Sequence, residues 1–172
     1  DSRILLRFLA LNAGRGPGLR LFIGGGVGIP SKNTLTADPF FLSNGDDIEP
    51  HRHFSMSDGV YKGIIETQFY VKRMQNPVFI GGTFSVVVPL KESKYGYKGS
   101  HLVDLTLTAF SKKIKLIKGS IGGNVMIRNT TEASWNGNPA PNSKSTMVIP
   151  GVGAIWSLGF ATLSVNLQNP RF

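Results

Sequence analysis

The sequence has no cysteine among its 172 residues, which excludes a disulfide framework, cysteine-ligated metal and thiol chemistry. It also lacks a long apolar run, because Lys, Arg, Gly or a polar residue interrupts every hydrophobic stretch before the roughly 18 residues that a spanning helix needs. A helical membrane protein is therefore excluded. Charged residues are few, at 17% of the chain, which fits a β-rich protein with little polar surface.

The chain carries a net charge of +9, which would indicate a nucleic-acid partner if the basic residues clustered in one segment. They do not cluster. Most of them stand singly at alternating positions, which indicates one face of a sheet. No nucleic-acid partner is expected.

Eight segments alternate apolar and polar residues with period two, and turn residues bound each of them. In the third, Tyr61, Gly63, Ile65, Thr67, Phe69 and Val71 share one side, and Lys62, Ile64, Glu66, Gln68, Tyr70 and Lys72 share the other. Several segments exceed the usual length of a strand in a soluble protein, about 5 to 6 residues. The predicted strands are 3–11, 19–29, 60–73, 77–90, 100–110, 114–128, 145–156 and 160–168.

The connections between these strands alternate short and long, the longest being residues 30–59. Outer-membrane barrels have this alternation because their periplasmic turns are tight and their outward loops are long. The sequence therefore predicts an all-β, antiparallel, up-and-down transmembrane β-barrel as a single domain over residues 1–172. A soluble β-sandwich gives the same residue alternation and is the alternative.

The strand directions place both chain ends on the side of the long loops, whereas single-chain bacterial barrels keep both termini in the periplasm. We therefore expect at least one more strand before Asp1 and one after Phe172, so that the eight strands belong to a barrel of ten or more. Eight strands closed edge to edge would contradict this expectation.

The charged strand residues are expected to line a basic lumen that favours anionic solutes. A closed plug of internal salt bridges is an equally open interpretation. The predicted lumen-lining residues are Arg3, Arg7, Arg20, Lys62, Glu66, Lys72, Asp104, Lys118 and Arg128.

The long loop offers the few candidates for other chemistry. His51 and His53, near Asp46, Asp47 and Glu49, are able to ligate a divalent metal or to act as an acid/base pair. A His-x-His pair in a loop is usually solvated, however, and no nucleophile accompanies it. We expect no metal, no cofactor and no enzymatic activity.

Aromatic residues near the strand ends predict girdles at the membrane interfaces, or core positions if the protein is soluble. These residues are Tyr61, Phe69, Trp156 and Phe160. Phe40, Phe41 and Phe54 of the long loop are expected to fold inward as a constriction or to anchor the loop at the rim.

Several short Gly/Pro motifs occur in a distinctive order along residues 19–170. They are IGGGVGIPSK at 23–32, SDGVY at 57–61, GTFSVVVPLK at 82–91, YGY at 95–97, IPGVG at 149–153 and VNLQNP at 165–170. In this order they resemble the outer-membrane barrels assigned as transporters of the meta-pathway of phenol degradation. The glycine doublet that usually precedes the third strand is reduced here to Ser57-Asp58-Gly59. The resemblance implies an uptake barrel without catalytic residues.

Together these features predict a channel or uptake barrel for small solutes in the outer membrane of a Gram-negative bacterium. The expected partners are the lipid bilayer with its lipopolysaccharide, small solutes with a preference for anions, and further copies of the chain or other envelope proteins. The alternative is a secreted or surface β-sandwich that serves as a structural or binding subunit.

Overall fold

The computed structural model describes residues 1–36, 38 and 55–171, and its main feature is one antiparallel sheet of eight strands. Each strand pairs with the next long strand along the chain, so the sheet is a meander. The eight strands are β1 (Ser2–Asn12), β2 (Gly18–Ile29), β3 (Lys62–Lys72), β4 (Phe79–Pro89), β6 (Leu102–Phe110), β7 (Ser120–Thr130), β10 (Ser145–Ser157) and β11 (Thr162–Gln168).

Three further strands of two residues each lie within the long connections. They are β5 (Tyr97–Lys98), β8 (Ser134–Trp135) and β9 (Asn138–Pro139), and they form a separate small sheet. The pairing of β5 with β8 joins the connection after β4 to the connection after β7. The sequence did not predict this sheet, because two-residue strands carry no periodicity.

The connections of the main sheet alternate as the sequence predicted. Residues 13–17, 73–78, 111–119 and 158–161 make turns at one end of the sheet, the turn end. Residues 30–61, 90–101 and 131–144 connect strands at the opposite end, the loop end. The predicted all-β antiparallel fold and its eight long strands are confirmed.

The predicted start of the sixth strand at residue 114 is wrong. Residues 114–119 form a closed turn in which the Ile114 N–H donates to the Gly119 carbonyl, and Lys118 takes a left-handed φ of 52°. The Trp156 indole N–H donates to the Ile117 carbonyl at 3.0 Å and holds this turn against β10. The period-two pattern over 114–119 is therefore coincidental, and β7 begins at Ser120.

The sheet is open between the described residues, because β1 and β11 form its two edges and do not pair with each other. The eight-stranded closure that would contradict a larger barrel is thus not seen. After β11 the chain stays against β10, where Arg171 and Val148 exchange two backbone hydrogen bonds of 2.9 Å. The expectation of further strands stays a prediction.

Few hydrophobic side chains are buried, and most of these lie at the loop end. Val60, Ala133, Trp135 and Ala140 are buried there among the long connections. Of the eight main strands, only Ile64, on β3, joins this group. Within residues 1–36, 38 and 55–171, no helix is long and apolar enough to cross a membrane.

Candidate functional site

The two faces of the sheet differ completely in charge. Residues paired across an antiparallel ladder share a face, so the register assigns each strand residue except Ala10, at a bulge in β1, to one side. All the charged residues of the eight long strands fall on one side, the polar face. They are Arg3, Arg7, Arg20, Lys62, Glu66, Lys72, Asp104 and Arg128.

The opposite side, the apolar face, carries aliphatic and aromatic residues on all eight strands, and many of them are exposed. Leu6 is 78% exposed, Leu167 is 70% exposed and Ile65 is 60% exposed. In the part of the chain that the structure describes, no second sheet or helix packs on this face, and each long strand makes its extensive strand contacts with its neighbours in the sheet. A soluble domain covers such a face with another layer. Among the described residues, this face has no such layer.

On the polar face, Arg7 and Glu66 form an ion pair across an intervening strand. The Arg7 Nε lies 2.7 Å from the Glu66 Oε1, although β2 separates β1 from β3. Gly24 of β2 pairs with both residues, and its lack of a side chain lets the arginine reach across β2. A Cβ at Gly24 would lie 3.2 Å from the Arg7 Cγ, so a side chain there would obstruct the arginine. The glycine therefore makes the long-range pair possible.

Glu66 also anchors a chain of hydrogen bonds along β3. The Gln68 amide donates to the Glu66 Oε1 at 2.6 Å, and the Tyr70 O–H donates to the Gln68 Oε1 at 3.1 Å. The carboxylate thus accepts from two side chains, and its orientation on the polar face is fixed.

A second ion pair lies on the same cross-strand row. Asp104 of β6 stands directly opposite Arg128 of β7, and the arginine donates from Nε at 2.7 Å and from Nη2 at 2.9 Å. Bidentate arginine–carboxylate pairs of this kind are strong and directional. Ser85 of β4 pairs with both Glu66 and Asp104, so it separates the two carboxylates. The row reads arginine, glycine, carboxylate, serine, carboxylate, arginine across the sheet.

The remaining basic residues of the polar face lie nearer its ends. The Lys62 Nζ is 2.7 Å from the Asp58 Oδ2 at the loop end. Arg20 donates to the Asn12 side chain and to the Gly14 carbonyl at the turn end. Neither Arg3 nor Lys72 belongs to an ion pair formed by the described residues. Basic residues therefore outnumber carboxylates on this face.

The structure brings eight of the nine predicted lumen-lining residues onto this one face. The exception is Lys118, which lies in the turn of residues 114–119 and not on a strand. The alternation of β7 continues backwards in the sequence to Lys118, but the strand itself begins only at Ser120.

An aromatic strip on the polar face, near the turn end, was missed by the sequence reasoning. Phe22, Tyr70, Phe79 and Phe110 come from four neighbouring strands, and consecutive ring centroids are 6.2, 6.0 and 6.4 Å apart. Gly81, with no side chain of its own, lies beneath the rings of Tyr70 and Phe79. Only the register could reveal the strip, because these residues are far apart in sequence.

At the loop end, Tyr97 is packed against Trp135 with ring centroids 6.0 Å apart. Burial, and then the negative charge of Asp58, raise the pKa of the Tyr97 phenol above its ordinary value of 10.0. Asp58 also forms an ion pair with Lys62 at the start of β3. The pKa of Tyr97, in the small sheet, therefore depends on a carboxylate that is bound to β3.

The predicted girdle residues lie near the ends of the apolar face or beyond them. Trp156 is on that face near the turn end, Phe160 is 93% exposed in the turn after it, and Tyr61 is 44% exposed at the loop end. Phe69 lies on the apolar face of β3, where its ring covers Gly82.

The candidates for metal or acid/base chemistry, His51 and His53, lie outside the described residues, as do Asp46, Asp47, Glu49, Phe40, Phe41 and Phe54. Among the residues that the structure does describe, no group of three or more His, Cys, Asp or Glu side chains is placed to hold a metal ion.

Comparison with known proteins gave no match to a family model, to a curated protein or to a solved structure. The resemblance to the phenol-pathway transporter barrels therefore stays a prediction from the motifs.

Proposed function

We propose that the eight-stranded sheet is part of the wall of a transmembrane β-barrel in a bacterial outer membrane, and that its polar face lines a passage for small solutes. The observation that carries the proposal is the separation of the two faces. One face holds every charged residue of the eight strands, and the other exposes apolar side chains with no covering layer among the described residues.

The strand lengths support this assignment. A strand crosses the hydrocarbon core with about 9 to 11 residues when it is tilted. Six of the eight long strands have 11 residues or more, and β6 has 9. Short turns at one end and long connections at the other are also typical of such barrels, in which the long loops face outward.

The open edges of the sheet require partners in a bilayer, because unpaired backbone groups are costly in hydrocarbon. The proposed barrel therefore closes with more strands than these eight. Ten or more strands would leave an interior wider than the side-chain-filled core of a small barrel. The oligomeric state in detergent distinguishes strands of the same chain from strands of further copies.

The polar face supports a preference for anions. It carries six basic side chains, at Arg3, Arg7, Arg20, Lys62, Lys72 and Arg128, and two carboxylates, at Glu66 and Asp104. The ion pairs neutralise part of this charge, and Arg3 and Lys72 have no ion-pair partner among the described residues. A water-filled passage with this wall would concentrate anions and repel cations.

Conductance in a planar bilayer under a salt gradient tests the proposal. The protein is expected to insert and to show a reversal potential on the anion-selective side. Replacing Arg3→Gln together with Lys72→Gln should shift the potential toward cation selectivity. The matched control is Lys112→Gln with Lys113→Gln, which removes the same charge from the turn after β6 and should leave selectivity nearly unchanged.

Two results would contradict different parts of the proposal. A protein that inserts but does not conduct would support the salt-bridge plug and refute the passage. A protein that is soluble and monomeric without detergent would refute the membrane wall and favour the β-sandwich subunit.

A further inference from the structure

A cavity of about 260 Å³ lies among the long connections at the loop end, away from the ion-pair row of the polar face. Two tyrosines and two lysines are among the residues that line it, namely Tyr61, Tyr95, Lys91 and Lys94. Glu92 and the buried Ser93 also line the cavity. The proposed passage does not use these residues.

Hydrogen bonds made by Ser93 hold one wall of this cavity in place. The Ser93 hydroxyl accepts from the N–H groups of Tyr95 and Tyr97, at 3.3 and 3.1 Å. The Ser93 N–H donates to the Tyr97 carbonyl at 2.8 Å and closes a tight turn. Lys94 and Tyr95 stand within this turn, so the turn fixes the backbone from which their side chains extend.

The other wall is fixed in a similar way. The Leu90 N–H donates to the Tyr61 carbonyl at 2.8 Å, which holds Lys91 next to Tyr61. The Lys91 Nζ lies 5.1 Å from the centroid of the Tyr61 ring, and the Lys94 Nζ lies 4.7 Å from that of Tyr95. Each ammonium thus rests over a tyrosine ring.

The charges of these lysines are available to a ligand. Neither Lys91 nor Lys94 belongs to any of the ion pairs that the described residues form. Glu92 supplies one opposing charge at the rim, so the lining stays net positive. Ligand sites of this construction have mostly apolar walls and a small number of polar groups that fix orientation.

We propose that this cavity binds the ring of an acidic sugar. On binding, the lysines turn from the tyrosine rings and donate hydrogen bonds to the carboxylate or phosphate, and the apolar C–H face of the sugar packs on a tyrosine ring in place of the ammonium. The acidic sugar is either a free solute or a residue of a surface glycolipid, since both present the same chemistry. The site does not depend on the membrane wall, because it is built from the loop connections alone.

Calorimetric titration of the detergent-solubilised full chain tests the site, with D-glucuronate as the free probe and neutral D-glucose as its uncharged counterpart. We expect saturable binding of glucuronate, with glucose weaker by about tenfold or more. Lys91→Gln with Lys94→Gln should reduce glucuronate affinity by a similar factor, and Lys112→Gln with Lys113→Gln, at the turn end, should not. A second arm titrates mixed micelles that contain lipopolysaccharide.

Glucuronate binding that is lost in the loop variant supports a free solute as the ligand. Binding of lipopolysaccharide alone, lost in the same variant, supports the glycolipid source. The proposal is overturned if neither probe binds, if glucose binds as tightly as glucuronate, or if the loop and control variants behave alike. Because no transport is measured, these outcomes leave the proposed membrane wall unaffected.

Discussion

Neighbouring residues of β3 show how differently the two faces of the sheet are built. Glu66, on the polar face, is held by Arg7 and by Gln68 at hydrogen-bond distance. Ile65, on the apolar face, is 60% exposed. In a soluble domain the charged residue would be solvated and the isoleucine would be packed. In the proposed wall the bilayer supplies the apolar surroundings of Ile65, while the polar contacts of Glu66 are satisfied within the sheet.

The largest effect should come from placing a charge on the apolar face near the middle of a strand. Leu107→Arg on β6 should destabilise the bilayer-inserted protein by about 2–4 kcal/mol, the cost of an arginine at the membrane midplane. Thr106→Arg, its neighbour on the polar face, should cost clearly less. Reversible unfolding from lipid vesicles in guanidinium chloride measures both. An equal loss of stability in the two variants would contradict the proposal that the two faces have different surroundings.

Breaking the bidentate pair on the polar face should have the next largest effect. Asp104→Asn leaves Arg128 without its carboxylate partner, and we expect a loss of about 1–2 kcal/mol in the free energy of unfolding. The substitution also removes a negative charge from this face, so anion selectivity should increase. Stability and reversal potential are measured on the same preparation, and a change in neither would mean that the pair is unimportant.

Gly24 and Gly25 are adjacent in sequence and lie on opposite faces. They give a matched test of whether a glycine is needed at position 24 for Arg7 to reach Glu66. Gly24→Val should separate Arg7 from Glu66 and cost about 1 kcal/mol, since the new side chain meets the Arg7 Cγ and the Leu6 carbonyl. Gly25→Val should be nearly neutral, because a Cβ there has its nearest neighbour at 3.8 Å. The same unfolding measurement applies. The reverse order of costs would contradict the face assignment.

The smallest effect is expected at the loop end, from the raised pKa of Tyr97. The folded chain holds the phenol proton more tightly than the unfolded chain, so this stability is complete below pH 10.0 and is lost as the pH rises through the raised pKa. Fluorescence of Trp135 in a Trp156→Phe background reports the change. Tyr97→Phe should flatten the alkaline response, and an unchanged response would assign it to another group.

The strands and their faces were predictable because alternation is a local signal. From Lys62 to Lys72 the alternation of apolar and polar residues predicts the face of each side chain. The register of β3 with β4 keeps the same faces across the two strands. The predicted polar-face residues are therefore together in the structure. Lys118 was misplaced because a turn with a left-handed residue happened to continue the period.

The partners of these residues could not be predicted. The pair of Arg7 with Glu66 depends on register, on the absence of a side chain at Gly24 and on reach across β2. The aromatic strip of Phe22, Tyr70, Phe79 and Phe110 depends on the same register. Periodicity predicts the face on which a side chain lies. Its contacts follow only from the register of the paired strands.

The most direct test of the central claim is the accessibility of single cysteines along β11 in lipid vesicles, since the chain has no native cysteine. Leu163→Cys and Val165→Cys lie on the apolar face, and Ser164→Cys and Asn166→Cys lie on the polar face. The proposed wall predicts that a water-soluble thiol reagent labels only the second pair, and that a spin label at the first pair is broadened by a lipid-soluble relaxation agent. Equal labelling at all four positions would contradict a membrane wall.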